Sequence, residues 1–171
     1  IARQVLHAFH GVVIATLPRL PDQAASGSQP DLTPSQVHAV HAPIAGVILA
    51  AGGASRFGQP KQLLAWQGQP MVRHVAQIAL QAGLSPVVVV TGAATEQVSA
   101  ALGGLPVRLV HNPGWQSGQS SSMQAGLSVL PATTGGVVFL LADQPNISGA
   151  LIQALVEEHS RTLAPIVVPL V

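Results

Sequence analysis

The sequence predicts an α/β fold in which a mostly parallel sheet is covered by helices on both faces. Five short apolar runs alternate along the chain with segments of helix length, which is the pattern of βαβ units. The runs consist almost entirely of Val, Ile, Leu and Ala, as expected of strands that are buried on both faces. Glycine-rich or polar residues follow three of the runs, at the strand ends where ligands bind in such folds.

The predicted elements follow one another without long gaps. The strands are predicted at 44–50, 86–91, 107–111, 137–142 and 165–168. The helices are predicted at 70–82, 95–102, 120–130 and 148–159. Pro70 suits the first turn of a helix, Gly83 suits a helix end, and Ser148 is a candidate N-cap. Residues 63–69 are predicted to form a short turn.

The first 43 residues differ in composition from the rest. Apolar residues at helical spacing predict a helix within residues 1–17, and we interpret this segment as the end of an upstream domain. Residues 18–43 contain five prolines and no apolar periodicity, which predicts a linker. The main domain is therefore predicted at 44–171, and we expect it to be incomplete at its C-terminal side.

The composition excludes several classes of function. Hydrophobic residues make up 48% of the 171 residues, charged residues 8%, and the formal net charge is +1. With no basic run and no Tyr, the chain offers no surface for nucleic acid. Without Cys it has no disulfide, thiolate metal site or cysteine nucleophile. No apolar run approaches the roughly 20 residues of a membrane-spanning helix, and we predict a cytoplasmic protein.

The stretch 44–61, IAGVILAAGGASRFGQPK, joins a predicted buried strand to a glycine-rich loop. Glycines let the backbone approach a ligand and direct its N–H groups towards it. Arg56 and Lys61 add two cations to a chain that has few. Clustered N–H groups and cations are suited to a polyphosphate, so this loop is a candidate phosphate site. The alternative is a glycine-rich turn with solvated cations.

Two familiar phosphate loops do not fit this stretch. A Walker A loop requires Lys and Ser or Thr after its second glycine, but Gln59 and Pro60 stand there. The dinucleotide fingerprint G-x-G-x-x-G is absent, because Gly52, Gly53 and Gly58 have the wrong spacing.

Asp143 directly follows the predicted strand VVFLLA, in the sequence A-D-Q-P. A carboxylate that emerges from a buried strand is costly unless it is paired or bound to a cation. Mg²⁺ typically takes one or two carboxylates together with phosphate oxygens and water. Asp143 is therefore a candidate metal ligand, and the alternative is an Asp that caps a turn before Pro145.

Residues 112–122 form a polar loop that leads into a predicted helix. Free N–H groups and hydroxyls at a helix N-terminus can hold a nucleotide. The alternative is ordinary N-capping by serines. Trp115, in the middle of this loop, either lines the pocket or belongs to the core.

Three motifs in order along the chain carry a family resemblance. They are L-A-A-G followed by x-x-x-R-[FM]-G-x-x-K at 49–61, N-P-x-W-x-x-G-x-x-x-S-x-x-x-G-L at 112–127, and D-Q-P at 143–145. This pattern resembles the nucleotidyltransferases related to the molybdenum cofactor guanylyl- and cytidylyltransferases, and the last two motifs are typical of the cytidylyl branch. The resemblance implies a three-layer, Rossmann-like nucleotidyltransferase fold.

The resemblance also implies a reaction and its residues. CMP would pass from CTP, or another NMP from its NTP, to a phosphate of a molybdopterin-type cofactor, and pyrophosphate would leave. Mg²⁺ would bind Asp143, and the catalytic residues would be Arg56, Lys61 and Asp143. The residues implied to bind the nucleotide or its partner substrate are Leu49, Ala50, Ala51, Gly52, Gly53, Ser55, Gly58, Asn112, Gly118 and Ser122.

Other functions stay open at this point. Residues 1–11 faintly resemble the last helix of the xanthine dehydrogenase accessory family, so a molybdoenzyme or its accessory protein is a candidate partner. Ala54 departs from the Ser or Gly common in the family's loop, and the family's C-terminal part, with further metal and acceptor ligands, is not in this chain. A nicotinamide-dependent oxidoreductase, to which relatives have been assigned, and a non-catalytic cofactor carrier or chaperone are the alternatives.

Overall fold

The computed structural model describes residues 12–16, 42–53, 58–162 and 164–168, and in these ranges the chain forms a six-stranded sheet flanked by helices. The elements in chain order are β1 (Val12–Thr16), β2 (Ile44–Ala50), β3 (Ala65–Trp66), β4 (Gln69–Pro70), α1 (Met71–Gln81), β5 (Val87–Thr91), α2 (Thr95–Ala101), β6 (Arg108–His111), α3 (Gln119–Leu127), β7 (Gly136–Leu141), α4 (Gly149–Thr162) and β8 (Ile166–Val167). Short 3-10 helices occur at Lys61–Leu63 and Trp115–Ser117, and β3 and β4 form a small separate hairpin.

The strand order in the sheet is β6-β5-β2-β7-β1-β8. Strands β6, β5, β2 and β7 are parallel, whereas β1 is antiparallel to both of its neighbours. The chain passes from β2 to β5 on one side, and β7 later returns to the other side of β2. The order therefore reverses at β2, and the carboxyl end of such a strand is where open α/β sheets form a ligand crevice.

Helices cover both faces of the sheet, so the predicted three-layer α/β fold is confirmed. Alternate residues of β2 point to opposite faces, as the period of two in a strand requires. Ile48 and Ala50 pack in one apolar cluster with α1, α2 and α4, whereas Val47 and Leu49 pack in the other with α3. Six of the seven residues of β2 are buried, which explains its uninterrupted apolar sequence.

Most predicted elements are confirmed within a few residues. The hydroxyl of Ser148 accepts a hydrogen bond from the N–H of Leu151 at 3.1 Å, as expected of an N-cap. Helix α3 ends at Leu127, three residues before its predicted end. Helix α4 continues to Thr162, whose hydroxyl donates to the Glu158 carbonyl. In the described part of the chain, no helix is long and apolar enough to span a membrane.

The N-terminal segment requires a correction. Residues 12–16 form strand β1, so the predicted helix within 1–17 is wrong over this part. The sequence VVIAT is mostly β-branched and suits a strand, and β1 pairs antiparallel along β7 from Val12 opposite Leu140 to Thr16 opposite Gly136. This strand therefore belongs to the sheet and not to an upstream unit. Residues 1–11 and most of the predicted linker lie outside the described residues.

Candidate functional site

A cavity of about 320 Å³ lies at the carboxyl ends of β2 and β7, which is the point where the strand order reverses. Its walls come from three stretches that are distant in sequence, 49–52, 115–122 and 141–143. One further side chain, that of Gln62, comes from the 3-10 helix Lys61–Leu63. The lining residues are Leu49, Ala50, Ala51, Gly52, Gln62, Trp115, Gln116, Gly118, Gln119, Ser122, Leu141, Ala142 and Asp143.

The turn that follows β2 keeps its carbonyl groups occupied within the protein. Four consecutive carbonyl oxygens each accept a hydrogen bond. Two of them bond to backbone N–H groups: the Leu49 oxygen to that of Ala142 at 3.1 Å, and the Ala51 oxygen to that of Ala93 at 3.3 Å. The other two, of Ala50 and Gly52, accept from Gln62 Nε2 at 3.1 and 2.8 Å. In the described part of the chain, the N–H groups that follow, those of Ala51, Gly52 and Gly53, have no hydrogen-bond acceptor. The turn therefore offers donors to a ligand.

The N-terminus of α3 forms a second wall of the cavity. Gly118, the residue before the helix, has a φ of 111°, a backbone conformation that favours glycine. Among the described residues no side chain caps this helix end, and the Ser121 hydroxyl donates to the Gly118 carbonyl at 2.8 Å instead of accepting from a backbone N–H group of the helix. The alternative of serine N-capping is therefore wrong here. The positive end of the α3 dipole lies at the cavity, where it favours an anionic ligand.

Asn112 lies behind this wall and does not line the cavity. It is 5% exposed, and its Nδ2 donates to the hydroxyls of Ser121 at 2.9 Å and Ser122 at 3.0 Å. Its Oδ1 accepts from the Gly114 N–H at 2.9 Å. These hydrogen bonds tie the end of β6 to the start of α3. The geometry therefore favours a role in positioning Ser122, which does line the cavity, over direct contact with a ligand.

Trp115 belongs to the same stretch as this wall and lines the cavity, so its assignment to the pocket is supported by the geometry. Its side chain lies so close to Gly92 that a β-carbon built there would be 2.8 Å from the indole Cγ. A β-carbon at Gly53 would be 3.0 Å from the far edge of the same ring. The indole therefore extends from the end of β5 to the glycine loop, and it packs in place only because both residues are glycines.

Asp143 is exposed at the end of β7, and among the described residues it is the only charged side chain that lines the cavity. The burial cost proposed from the sequence therefore does not apply to it. Among the described residues, no group of three or more His, Asp or Glu side chains is arranged to hold a metal ion. A single exposed carboxylate fits a Mg²⁺ ion that obtains its other ligands from phosphate oxygens and water. The same carboxylate without a cation would repel a triphosphate.

The structure brings together many, but not all, of the residues named from the sequence. Leu49, Ala50, Ala51, Gly52, Gly118, Ser122 and Asp143 line the cavity. Gly53, Gly58, Lys61 and Asn112 are not among its lining residues, although Lys61 is exposed and directly precedes Gln62. Ser55 and Arg56 lie outside the described residues, so their roles remain predictions.

Several lining residues were not predicted as site residues. Gln116 and Gln119 lie within the polar loop that the sequence analysis singled out, and Leu141 and Ala142 directly precede Asp143. Their position beside residues predicted for the site could therefore have identified them from the sequence. Gln62 had no such signal, because a glutamine beside a lysine is ordinary in a surface turn and its burial depends on the fold.

Comparison with known proteins gives a consistent result. Residues 46–170 match the MobA-like NTP transferase domain family. Nicotine blue oxidoreductase of Paenarthrobacter nicotinovorans is 37% identical over 117 residues, which cover 68% of this chain and 57% of that protein. A probable molybdenum cofactor guanylyltransferase of Bacillus cereus (strain Q1) is 30% identical over 125 residues, which cover 72% of this chain and 60% of that protein. The chain thus spans little more than half the length of these relatives.

Solved structures share the fold. The crystal structure of Rv0371c from Mycobacterium tuberculosis H37Rv has a TM-score of 0.64 at 29% identity, over 71% of this chain and 62% of that one. A second structure of Rv0371c from the same organism, in complex with manganese, has a TM-score of 0.59 at 26% identity, over 70% of this chain and 61% of that one. A CMP:2-keto-3-deoxy-manno-octonic acid synthetase complexed with CTP has a TM-score of 0.60 at 25% identity, over 71% and 49%.

Proposed function

The chain belongs to the MobA-like NTP transferase domain family, and we propose that it transfers CMP from CTP to a phosphate of a molybdopterin-type cofactor with release of pyrophosphate. The observation that carries this proposal is the meeting of three features at one cavity. These are the N–H groups of the turn after β2, the uncapped N-terminus of α3, and the carboxylate of Asp143. Together they suit a ligand that is anionic and accompanied by a cation.

We propose that the phosphate chain of the nucleotide lies along the turn after β2. The N–H groups of Ala51, Gly52 and Gly53 would donate to its oxygens, and Arg56 and Lys61 would add positive charge. The cavity of about 320 Å³ is at the lower end of the range for ligand sites, roughly 300–1,000 Å³. It therefore suits one nucleotide, and the acceptor would approach from the open side.

A divalent cation fits this site as a partner of the triphosphate. Asp143 is the lining residue that would hold it, and Mg²⁺ is the ion we propose, although manganese is the metal in the Rv0371c complex. When bound, such an ion supplies charge neutralisation of the phosphate oxygens. The protein's own contribution to this charge balance is then Lys61 and Arg56 together with the donor groups of the turn and of α3.

The proposed transfer needs no nucleophilic side chain. An oxygen of the acceptor phosphate attacks the α-phosphorus, a new P–O bond forms, and the bond from that phosphorus to the bridging β-phosphate oxygen breaks. The electron pair leaves with pyrophosphate. Because the acceptor phosphate is already ionised at neutral pH, no general base is required, and the chain's residues act by positioning and by charge stabilisation.

The base, the acceptor and the partners are the finer parts of the proposal. CTP is supported by the motifs at 112–127 and 143–145 and by the fold shared with a synthetase that is complexed with CTP. The molybdopterin-type acceptor is supported by the relative named as a molybdenum cofactor guanylyltransferase. A molybdoenzyme or its accessory protein is proposed as a partner, and the cytoplasm is proposed as the location.

Thermal stabilisation by nucleotides tests the binding step directly. A ligand that binds only the folded state raises the unfolding midpoint, so CTP with Mg²⁺ should raise Tm more than GTP, ATP or NADPH does. Equal shifts for all NTPs would contradict the choice of CTP and leave the nucleotide site standing. Release of pyrophosphate from CTP in the presence of the acceptor then tests the transfer step.

Two other functions have a specific discriminating measurement. The similarity to nicotine blue oxidoreductase supports a nicotinamide-dependent oxidoreductase, for which oxidation of NADPH would be the decisive signal. The absence of G-x-G-x-x-G counts against it. Binding of a molybdopterin-type cofactor without turnover of CTP would favour a carrier or chaperone.

A further inference from the structure

Gln62 is a buried polar side chain with an unusual set of partners. It lies in the Lys61–Leu63 turn, is 5% exposed, and lines the cavity. Its Nε2 donates to the carbonyl oxygens of Ala50 at 3.1 Å and Gly52 at 2.8 Å. A side-chain amide has two N–H donors, so both are used on the backbone of the turn that follows β2. The orientation of the amide is unambiguous, because only its nitrogen can donate to a carbonyl.

Holding a carbonyl also orients the N–H group of the same peptide. In a planar trans peptide the C=O and the N–H point in opposite directions. The carbonyl of Ala50 shares its peptide with the N–H of Ala51, and that of Gly52 shares its peptide with the N–H of Gly53. Gln62 therefore turns these two donors away from itself, and in the described part of the chain both lack an acceptor.

The intervening peptide is held independently. The Ala51 carbonyl accepts from the Ala93 N–H at 3.3 Å, which orients the N–H of Gly52. The contact is tight, since a β-carbon at Gly92 would lie 2.5 Å from the Ala51 oxygen. Gln62 is thus the side chain that sets two of three successive peptides, and the backbone after β5 sets the third.

We propose that Gln62 is a positioning residue that orients the turn after β2 so that the N–H groups of Ala51 and Gly53 remain available to oxygen atoms of the ligand. The identity of that ligand as an NTP rests on the proposed function. Gln62 acts through the backbone, so its loss changes the direction of the donors without removing any ligand-contacting charge.

The decisive variant is Gln62→Met, which keeps the length of the side chain and removes both donors. With the full 171-residue chain, we expect the Kd for CTP with Mg²⁺ to rise about tenfold, the effect of losing a well-formed polar contact. The matched control is Gln153→Met on the exposed face of α4. The Kd of this variant for CTP should equal that of the wild type. If Q62M binds CTP as tightly as the wild type does, the positioning role is overturned.

An NMR measurement without nucleotide gives a readout that a space-filling role would not move. The side-chain NH₂ protons of Gln62 should exchange with water at least about tenfold more slowly than those of exposed Gln153, because both protons of the Gln62 amide are hydrogen-bonded. In Q62M the backbone amide resonances of Ala51 and Gly53 should shift, whereas those of α4 should not. Equal exchange of the two side chains, or unchanged resonances in Q62M, would overturn the inference.

The two arms separate this inference from the proposed function. If the wild type binds no NTP but the Gln62 amide is protected and Q62M shifts the turn, the proposed function fails and the positioning role stands. If the wild type binds CTP and Q62M binds it equally well, the function stands and the positioning role fails.

Discussion

Asp143 is the single residue on which the proposed chemistry depends most. Within the ranges that the structure describes, it is the only charged side chain that lines the cavity, and it is exposed at the end of β7. If it binds a divalent cation, Asp143→Asn should lower metal-dependent turnover at least about tenfold, because an amide is a poor ligand for a hard cation. The thermal midpoint of the metal-free protein should change little, since the side chain is exposed and Asn, which is close to Asp in size, is equally suited to a turn.

Metal titration of pyrophosphate release, paired with thermal melting, measures both effects. Glu157→Gln removes one exposed carboxylate from α4 and is the matched control, with turnover expected to be unchanged. Full activity of D143N at ordinary Mg²⁺ would show that Asp143 is a turn residue only.

His159 gives a prediction about pH. It is fully buried in α4, and this burial lowers the pKa of its imidazole. The unfolded chain, with a His pKa near 6.5, then binds a proton more readily than the folded chain does. The free energy of unfolding should therefore be highest above pH about 6.5 and should fall as the pH is lowered through that value.

Urea unfolding at pH 7.5 and pH 5.0 checks this prediction. His159→Gln cannot titrate, so the difference in unfolding free energy between the two pH values should be smaller in the variant than in the wild type. An equal difference in both proteins would assign the acid sensitivity to other groups.

At the scale of elements, α3 links the packing of the fold to the cavity. Its Gly126 faces the sheet, where an added β-carbon would clash with Val47 Cγ1 and would lie 3.1 Å from Val90 Cγ2. The substitution Gly126→Ala gains about 1 kcal/mol of helix propensity but overpacks the core at a cost of about 1–3 kcal/mol. We expect a net loss of stability and weaker CTP binding, because the N-terminus of α3 lines the cavity.

Gly149→Ala in α4 is the matched control for this prediction. No atom lies within 4 Å of a β-carbon built at Gly149, so only the gain in helix propensity applies there. Its Tm should be equal to or slightly above that of the wild type. Thermal melting of the two variants side by side measures the difference, and a stabilised G126A would show that α3 moves away from β2 freely.

At the scale of the whole molecule, β1 makes the N-terminal segment part of the sheet. It lies between β7 and β8, and within the described residues it is the strand that joins β8 to the sheet. It also lies outside residues 46–170, the part that matches the family. Deletion of residues 1–17 should therefore lower Tm and reduce the yield of folded protein, because the edge of β7 loses its ladder partner.

Deletion of residues 1–11, which keeps β1, is the comparison for this experiment. Thermal melting and the soluble yield of both shortened chains are the measurements. If the chain that lacks residues 1–17 melts like the chain that lacks 1–11, β1 does not stabilise the sheet, and the earlier expectation that the N-terminal segment lies outside the domain would be restored.

The sequence by itself determined the features that depend on local patterns. The apolar run of β2, the Ser148 cap and the turn after β2 were predictable, because burial on both faces, capping and turn geometry each leave a mark within a few residues. The order of strands and polar loops also predicted that 51–61, 112–122 and 143–145 lie at one edge of the sheet, since parallel strands bring their carboxyl ends together, and residues of all three stretches line the cavity.

Only the tertiary structure decided how these parts fit together. Gln62 is buried, and Asn112 lies behind the cavity, because each bonds to partners 10 residues away in the sequence. Trp115 likewise packs against Gly92, which lies in a different loop. The pairing of β1 is the largest such effect, because a short β-branched segment becomes a strand only where a neighbouring strand offers unpaired N–H and C=O groups. No local pattern encodes that neighbour, so the sequence alone left its role open.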